Sequence, residues 1–343
     1  MQILFLGAED PSQTSRHRAD ALRRLGHDVT HLDGFAAFAN RLRGNFARFH
    51  FHTGYFFLRR AVVTWLESAI PSAADYDVCW VDGGELFGAP AIELLKARCR
   101  RVILFNVDDP TGPRDWRRFA TLRSAISHYS LCAVVRPFNV PEFQAFGAKS
   151  VVHVFRTYDE VAHCPPPDGR AVPPQFRSDV AFIGGNIKRE GRGEFLAQLI
   201  ARGLDVAIWG DEWDRSRSWS LLAPHWRGNS LSGAAYVDAM RGAKICLGML
   251  SRRNRDEHTQ RSMEIPYAGG LLCAQRTPEH IALYEEGREA VFWSDADECF
   301  ALCQALLRDD ALRSRIRLAG MARVRANRLG NEDLCRNLLS RPV

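Results

Sequence analysis

The 343 residues exceed the usual size of a single domain, and two α/β domains of about 150 residues each are the natural division. A formal net charge of +6 suits a small anionic ligand such as a nucleoside diphosphate and falls short of a nucleic-acid footprint. No zinc-finger spacing, aromatic RNA-binding motif or basic-region helix accompanies it, so no nucleic-acid partner is expected.

The chain opens directly into Ile3-Leu4-Phe5-Leu6 with no charged segment ahead of it, which gives no sign of a signal peptide. Short β-rich runs at 2–6, 28–32, 77–82, 101–107, 131–135 and 151–155 alternate with helical spacing at 14–25, 55–69, 89–99 and 116–127. Such alternation predicts a parallel, doubly wound sheet. Within it, residues 41–60 carry five Arg, two His and no acid, interleaved with Phe46, Phe49, Phe51, Tyr55, Phe56 and Phe57. This is either a helix with a core face and a solvated face, or a surface for peripheral membrane contact or an anionic, lipid-linked acceptor. The longest charge-free apolar-leaning stretch, 124–135, is too short to span a bilayer.

Cys164-Pro165-Pro166-Pro167 and Pro173-Pro174 interrupt the alternation, since proline continues neither a helix nor a central strand. Beyond them the opening pattern repeats. The strand 179–183 runs into Gly184-Gly185, a helix ends at Gly203, and the strand 205–209 follows. In the first half a strand at 2–6, a helix ending at Gly26 and a strand from Asp28 have the same order. The fold class expected is therefore α/β, with two Rossmann-like domains built on parallel sheets. The boundaries expected are an N-terminal domain over 1–163, a stiff linker over 164–177, a C-terminal domain over 178–328 and a C-terminal helix over 329–343. That last helix either packs back on the first domain or completes the second. Leu312, Ile316, Leu318, Met321 and Val324 are expected to form one apolar stripe just before it.

The nine cysteines are scattered and form no C-x-x-C. The closest pair, Cys299 and Cys303, has no His nearby, so these residues read as small buried hydrophobes and no metal site is expected. Their odd number suits a reducing, cytoplasmic location. Asp295-Ala296-Asp297 reads as a helix N-cap rather than a metal motif.

The chemistry concentrates in 251–293. A buried strand at 245–250 leads into an Arg- and acid-rich loop, a helix begins near Thr259, and Gly269-Gly270 ends it before the strand 271–274. A helix start beside several arginines at a strand's carboxyl edge favours an anion.

The run N-R-D-E-H-T-Q-R-S-M-E-I-P-Y-A-G-G at 254–270, followed by Arg276-Thr277-Pro278-Glu279-His280 and Glu286-Gly287, resembles the donor segment of spore-maturation-type, CgeB-like glycosyltransferases. Asp82-Gly83-Gly84, Asn106-Val107-Asp108-Asp109-Pro110, Val135-Arg136-Pro137, Gly147-Ala148-Lys149 and Phe182-Ile183-Gly184 extend the resemblance over most of the chain. It implies the GT-B architecture: two Rossmann-like domains whose sheets face a central cleft, with a nucleotide-sugar, UDP-type favoured, as co-substrate and no separate cofactor or required metal.

In the wider GT-B group two acids eight residues apart serve the donor, and Asp256 and Glu264 have that spacing. The resemblance gives Glu264 the ribose hydroxyls and Asp256 the sugar; the competing role for Glu264 is a pair with Arg261. His258, Thr259, Arg261 and Ser262 complete this candidate donor segment. Gly184, Gly185, Lys188 and Arg192 form a loop suited to phosphates. Gly210, Arg227, Asn229 and Tyr236 lie where such proteins hold the base, or else belong to the core and rim. His17, Asp82, Asp108 and Asp109 follow strands of the first half. They are candidates for the catalytic base or for acceptor contact, and equally for capping roles.

Sugar transfer to an acceptor that these residues do not name is thus the leading expectation. A GT-B nucleotide-sugar epimerase and a non-catalytic nucleotide- or sugar-binding coat or assembly protein are the alternatives. A nicotinamide-dependent oxidoreductase is disfavoured, because Gly7 stands without a G-x-G-x-x-G.

Overall fold

The computed structural model describes residues 1–342. They fall into two units, one made of the first 155 residues with the C-terminal helix Asn331–Ser340, the other of residues 156–330.

The first unit holds β1 (Gln2–Leu6), β2 (Asp28–Leu32), β3 (Val78–Asp82), β4 (Val102–Asn106), β5 (Leu131–Val134) and β6 (Val151–His153). They form a six-stranded sheet in the order β2-β1-β3-β4-β5-β6, every pair parallel. Ile3 to Leu6, Val78 to Val81 and Val102 to Phe105 are buried on both faces, which is why these strands read as unbroken apolar runs. One face is covered by the helix Arg59–Ala69 through Val62 and Leu66. On the other, Ala19 and Leu22 share a core with Leu334, Cys335 and Leu338 of the C-terminal helix. Arg24 pairs with Glu332 at 2.8 Å, and Arg101 donates to the carbonyl of Leu339, so that helix is an integral layer of this unit.

The second unit holds β7 (Ser178–Ile183), β8 (Val206–Trp209), β9 (Trp226–Gly228), β10 (Ala243–Gly248), β11 (Leu272–Gln275) and β12 (Val291–Trp293), in the order β12-β11-β10-β7-β8-β9 and again parallel. The strand order reverses between β7 and β10, as it does between β1 and β3 in the first unit. Ligands of open α/β sheets gather at the strand carboxyl ends of such a reversal. Asp295 caps the helix Ala296–Arg308 by accepting from the Glu298 amide, as its sequence position predicts.

The division at 155/156 differs from the proline-rich boundary expected at 164–177. The segment from Arg156 onward is bonded to the second unit: the rings of Tyr158 and Tyr267 stack at 3.8 Å, and Arg170 pairs with Asp238 at 2.8 Å. Arg227 donates to the Arg177 carbonyl, and Gly242 lies so close to the Phe176 carbonyl that a Cβ there would sit 2.2 Å from it. The prolines stiffen a strap laid on one unit rather than a free linker. In the helix Asp310–Ala326, Ile316 and Val324 are buried while Leu318 is exposed, so the expected stripe omits that position.

At the reversal point of the first unit Arg18 and Asp82 form a two-pronged pair, Nε to Oδ2 at 2.6 Å and Nη2 to Oδ1 at 2.8 Å, with the guanidinium over the Phe105 ring. Both side chains are buried, so removing either strands the other. Arg18→Ala is expected to lower the unfolding free energy in urea by about 3–5 kcal/mol, whereas the joint change Arg18→Met, Asp82→Leu recovers most of the loss.

Candidate functional site

The carboxyl ends of β7 and β10 carry the residues of interest. After Ile183 the chain passes Gly184 and Gly185 and turns at Gly191 (φ 71°) into the helix Arg192–Ala201. A Cβ on Gly210, whose φ is 137°, would sit 2.3 Å from the Gly184 carbonyl; glycine lets the ends of β7 and β8 approach. Arg192 is buried, its guanidinium donating to the carbonyl of Gly185 at 2.9 Å and lying 3.4 Å from that of Leu250, so it ties the β7 loop to the end of β10.

Beyond β10, Glu190 accepts from the Ser251 hydroxyl and the amides of Arg252 and Arg253, and Gln275 accepts from the Leu250 amide. The loop is thereby fixed before the helix Arg261–Tyr267. Pro266 inside that helix has no amide for the Ser262 carbonyl, and the Tyr284 hydroxyl takes the vacant acceptor at 2.7 Å.

Two buried histidines hold the segment, and their hydrogen bonds define their tautomers. His258 Nε2 accepts the Arg156 amide at 2.9 Å, so Nδ1 carries the proton it donates to Glu279 at 2.5 Å. Burial pushes the His258 pKa down against the pull of Glu279. His280 Nδ1 donates to the Gln275 carbonyl, while its Nε2 faces the Ser262 hydroxyl, which in turn accepts the Thr259 amide. Burial lowers the His280 pKa to about 4.

Glu264 lies buried on the helix Arg261–Tyr267. The Tyr236 hydroxyl donates to its Oε2 at 2.5 Å. His163 Nδ1 accepts the Asp159 amide, which leaves Nε2 as the donor, 3.3 Å from Glu264 Oε1. Each oxygen is thus addressed once from within the protein and keeps acceptor capacity for a ligand. Arg261 does not pair with Glu264: its Cζ lies 3.5 Å from where a Gly184 Cβ would be, and its Nε is buried without a hydrogen-bond partner.

The other positions divide. Asp256 is held 3.6 Å from the Arg156 guanidinium. Lys188 and Arg189 are exposed and line a cavity of about 500 Å³ with Arg215 and Arg217. Arg227, expected near a base, is committed to the carbonyls of Gln175 and Arg177 beneath the strap, and Tyr236 serves Glu264. Asn229 is exposed in the loop after β9.

In the first unit, His17 Nε2 lies 3.0 Å from the Pro11 carbonyl, Asp82 is bound to Arg18, and Asp109 is buried against Asn139 at 3.0 Å. Asp108 lies 3.9 Å from Arg118. Glu85, which no spacing pattern marked, is buried 2.7 Å from the same Arg118, and desolvation raises its pKa despite that cation. Its only sequence signal is the preceding Gly83-Gly84 pair, at φ 99° and 91°, which turns the chain at the end of β3.

Cys273, Cys299 and Cys303 bring their sulfurs within 4.8 Å of one another. They lie in the apolar core of the second unit, and hydrogen bonding with the Cys299 and Cys303 thiols, together with burial, raises the Cys273 pKa.

Residues 189–332 match the family model described as glycosyl transferase-like. Comparison with curated proteins finds no match. Among solved structures, Anabaena HepE in complex with UDP superposes with a TM-score of 0.65 at 13% identity, over 99% of this chain and 100% of that one. Sucrose-phosphate synthase from Thermosynechococcus elongatus gives 0.69 at 14%, covering 99% and 98%. A putative UDP-N-acetylglucosamine 2-epimerase from Listeria monocytogenes gives 0.57 at 11%, covering 98% and 94%. The chain has the GT-B glycosyltransferase fold.

The buried histidines set a pH dependence. His280 takes a proton near 6.5 when unfolded and near 4 in the fold, so the unfolded chain binds more protons across that window and stability falls as pH drops through it. The loss from this group approaches about 3 kcal/mol. Urea unfolding at neutral and mildly acidic pH checks it: His280→Gln should show a shallower slope than wild type, and equal slopes would contradict the assignment.

Proposed function

We propose that this chain, a GT-B fold with a glycosyl transferase-like segment, moves a sugar from a nucleoside-diphosphate sugar, uridine favoured, onto an acceptor hydroxyl. The observation that carries the reading is Glu264, oriented by Tyr236 and His163 beside the strand reversal of the second unit. A carboxylate with one acceptor site left on each oxygen matches the two hydroxyls of a ribose diol.

Arg261, with its orphaned Nε, is the first candidate for the diphosphate, joined by Arg192 and Lys188. Fixed cations at that point would stabilise the charge that develops on the leaving diphosphate. Asp256 acts in this reading by holding Arg156 rather than by touching the sugar. His258, Thr259 and Ser262 are positioning residues for the loop.

Of the acceptor-side candidates, Asp82 and Asp109 are engaged within the fold and His17 meets the Pro11 carbonyl, so Asp108 is taken together with its neighbours Glu85 and Arg118. A carboxyl whose pKa is raised is the better base for an acceptor proton, and this favours Glu85. The run 254–270 supports placement beside the spore-maturation-type transferases, and the nine free cysteines support a reducing cytoplasm.

Calorimetric titration with UDP, GDP and TDP tests the donor side. UDP should bind wild type, and Glu264→Ala should weaken it by about tenfold or more, the scale of lost hydrogen bonds to a charged group. Unchanged affinity would remove the ribose assignment. Glu85→Gln should lower turnover while leaving UDP affinity intact; a parallel loss of both would make Glu85 structural. The likeness to a putative epimerase favours a second reading, in which donor incubated without acceptor yields an isomeric nucleotide-sugar.

A further inference from the structure

The helix Gly44–His52 of the first unit is built the wrong way round for a free surface. Nine residues are too few for stability without tertiary burial, yet His50 is its one buried side chain. Phe46 and Phe49, three apart on the same side, are 71% and 47% exposed. The turn at Gly54 and Tyr55 (φ 60° and 59°) then sets Phe56 and Phe57 beside them, 54% and 61% exposed. Phe57 stacks on Phe49 at 5.2 Å and meets Phe56 edge-on at 5.4 Å. These four rings are a clustered apolar surface rather than scattered exposed residues.

The rim is cationic. Arg41, Arg43, Arg48 and Arg60 are exposed, Arg59 lies over the Phe56 ring at 4.7 Å, and no acid occurs between Asp33 and Glu67. Next to it a cavity of about 330 Å³ is lined by Phe51, His52, Trp116, Arg114, Arg117 and Arg118. Trp116 at its mouth is 45% exposed, and the Arg123 guanidinium lies 3.5 Å from its ring centre. Asp115 is the one acid of this lining, 3.4 Å from Arg114.

We propose that this face docks on a membrane surface rich in anionic lipid. The phenylalanines enter the boundary between headgroups and acyl chains, and the arginine-lined cavity takes a lipid phosphate. Charge decides the occupant. A second copy of the chain would bring one arginine rim against another with no acid to pair it. Anionic headgroups complement the rim, and aromatic side chains beside cations match the interfacial layer where both are soluble. The inference stands apart from the donor site and holds whether or not UDP binds.

Co-sedimentation of the full chain with phosphatidylcholine vesicles, and with the same vesicles carrying phosphatidylglycerol, tests it. The bound fraction should rise several-fold with the anionic lipid and fall as salt is added. Phe49→Ser with Phe57→Ser should abolish binding, and Arg43→Glu with Arg48→Glu should weaken it at least fivefold, all with unchanged thermal unfolding. Equal sedimentation with neutral vesicles, or indifference to both pairs of substitutions, overturns the proposal. So does a single-stranded oligonucleotide that displaces the protein from vesicles at lower concentration, which would make the surface a base-stacking platform. Phenylalanine-dependent dimerisation in sedimentation velocity would likewise replace the lipid with a second copy.

Discussion

A carboxyl group placed out of reach of bulk water must find its donors inside the protein, and Glu264 finds them on two separate stretches of chain. Tyr236 approaches one oxygen from the helix Gly233–Gly242, and His163 approaches the other from the strap that begins the second unit. Neither donor is adjustable: His163 is set by the amide of Asp159, and Tyr236 sits on a helix whose Asp238 is tied to Arg170 and Arg241. The orientation of one carboxylate therefore depends on the placing of a strap about a hundred residues away in sequence.

That dependence runs along the whole candidate donor segment. The Arg156 amide meets His258, the Thr157 carbonyl accepts from Gln260, the Glu160 carbonyl accepts from the Tyr267 hydroxyl, and Tyr158 stacks on Tyr267. Residues 156–163 are bonded turn by turn to residues 258–267. The two reversal points also differ in what fills them. In the first unit Arg18 and Asp82 satisfy each other there, and a Cβ on Gly7 would meet the Ser15 hydroxyl at 2.2 Å. In the second, Arg192 braces two backbone carbonyls and Arg261 is left with an unpartnered nitrogen. The first arrangement is closed by its own charges; the second has capacity for an outside anion.

Local periodicity made most of the strands legible. β1 from Ile3, β3 from Val78 to Val81, β4 from Val102 to Phe105 and β10 from Ile245 are apolar runs buried on both faces, and the glycines at 26 and 203 stop helices where a left-handed residue is needed. β9 and β12 have three residues each and too little pattern to stand out. Glu264 was legible because its spacing from Asp256 lies within one segment. His163 and Glu85 were not, because their importance comes from partners 101 and 33 positions away, and Glu279, though part of the motif, had no role there until its partner His258, 21 positions away, was in place. The proline run misled for a related reason: composition shows stiffness, whereas whether a stiff segment is free depends on Arg170, Arg227 and Gly242 meeting it.

The central claim is that an anionic nucleotide seats at the β7–β10 reversal of the second unit and engages the carboxylate held by the strap. Amide hydrogen exchange with and without saturating UDP tests it most directly. The account predicts slowed exchange at 184–192, 249–267 and 156–163 together, since those segments share one hydrogen-bonded framework. Protection concentrated at the turn between β1 and the helix Thr14–Arg24, or none across 256–267, would contradict it.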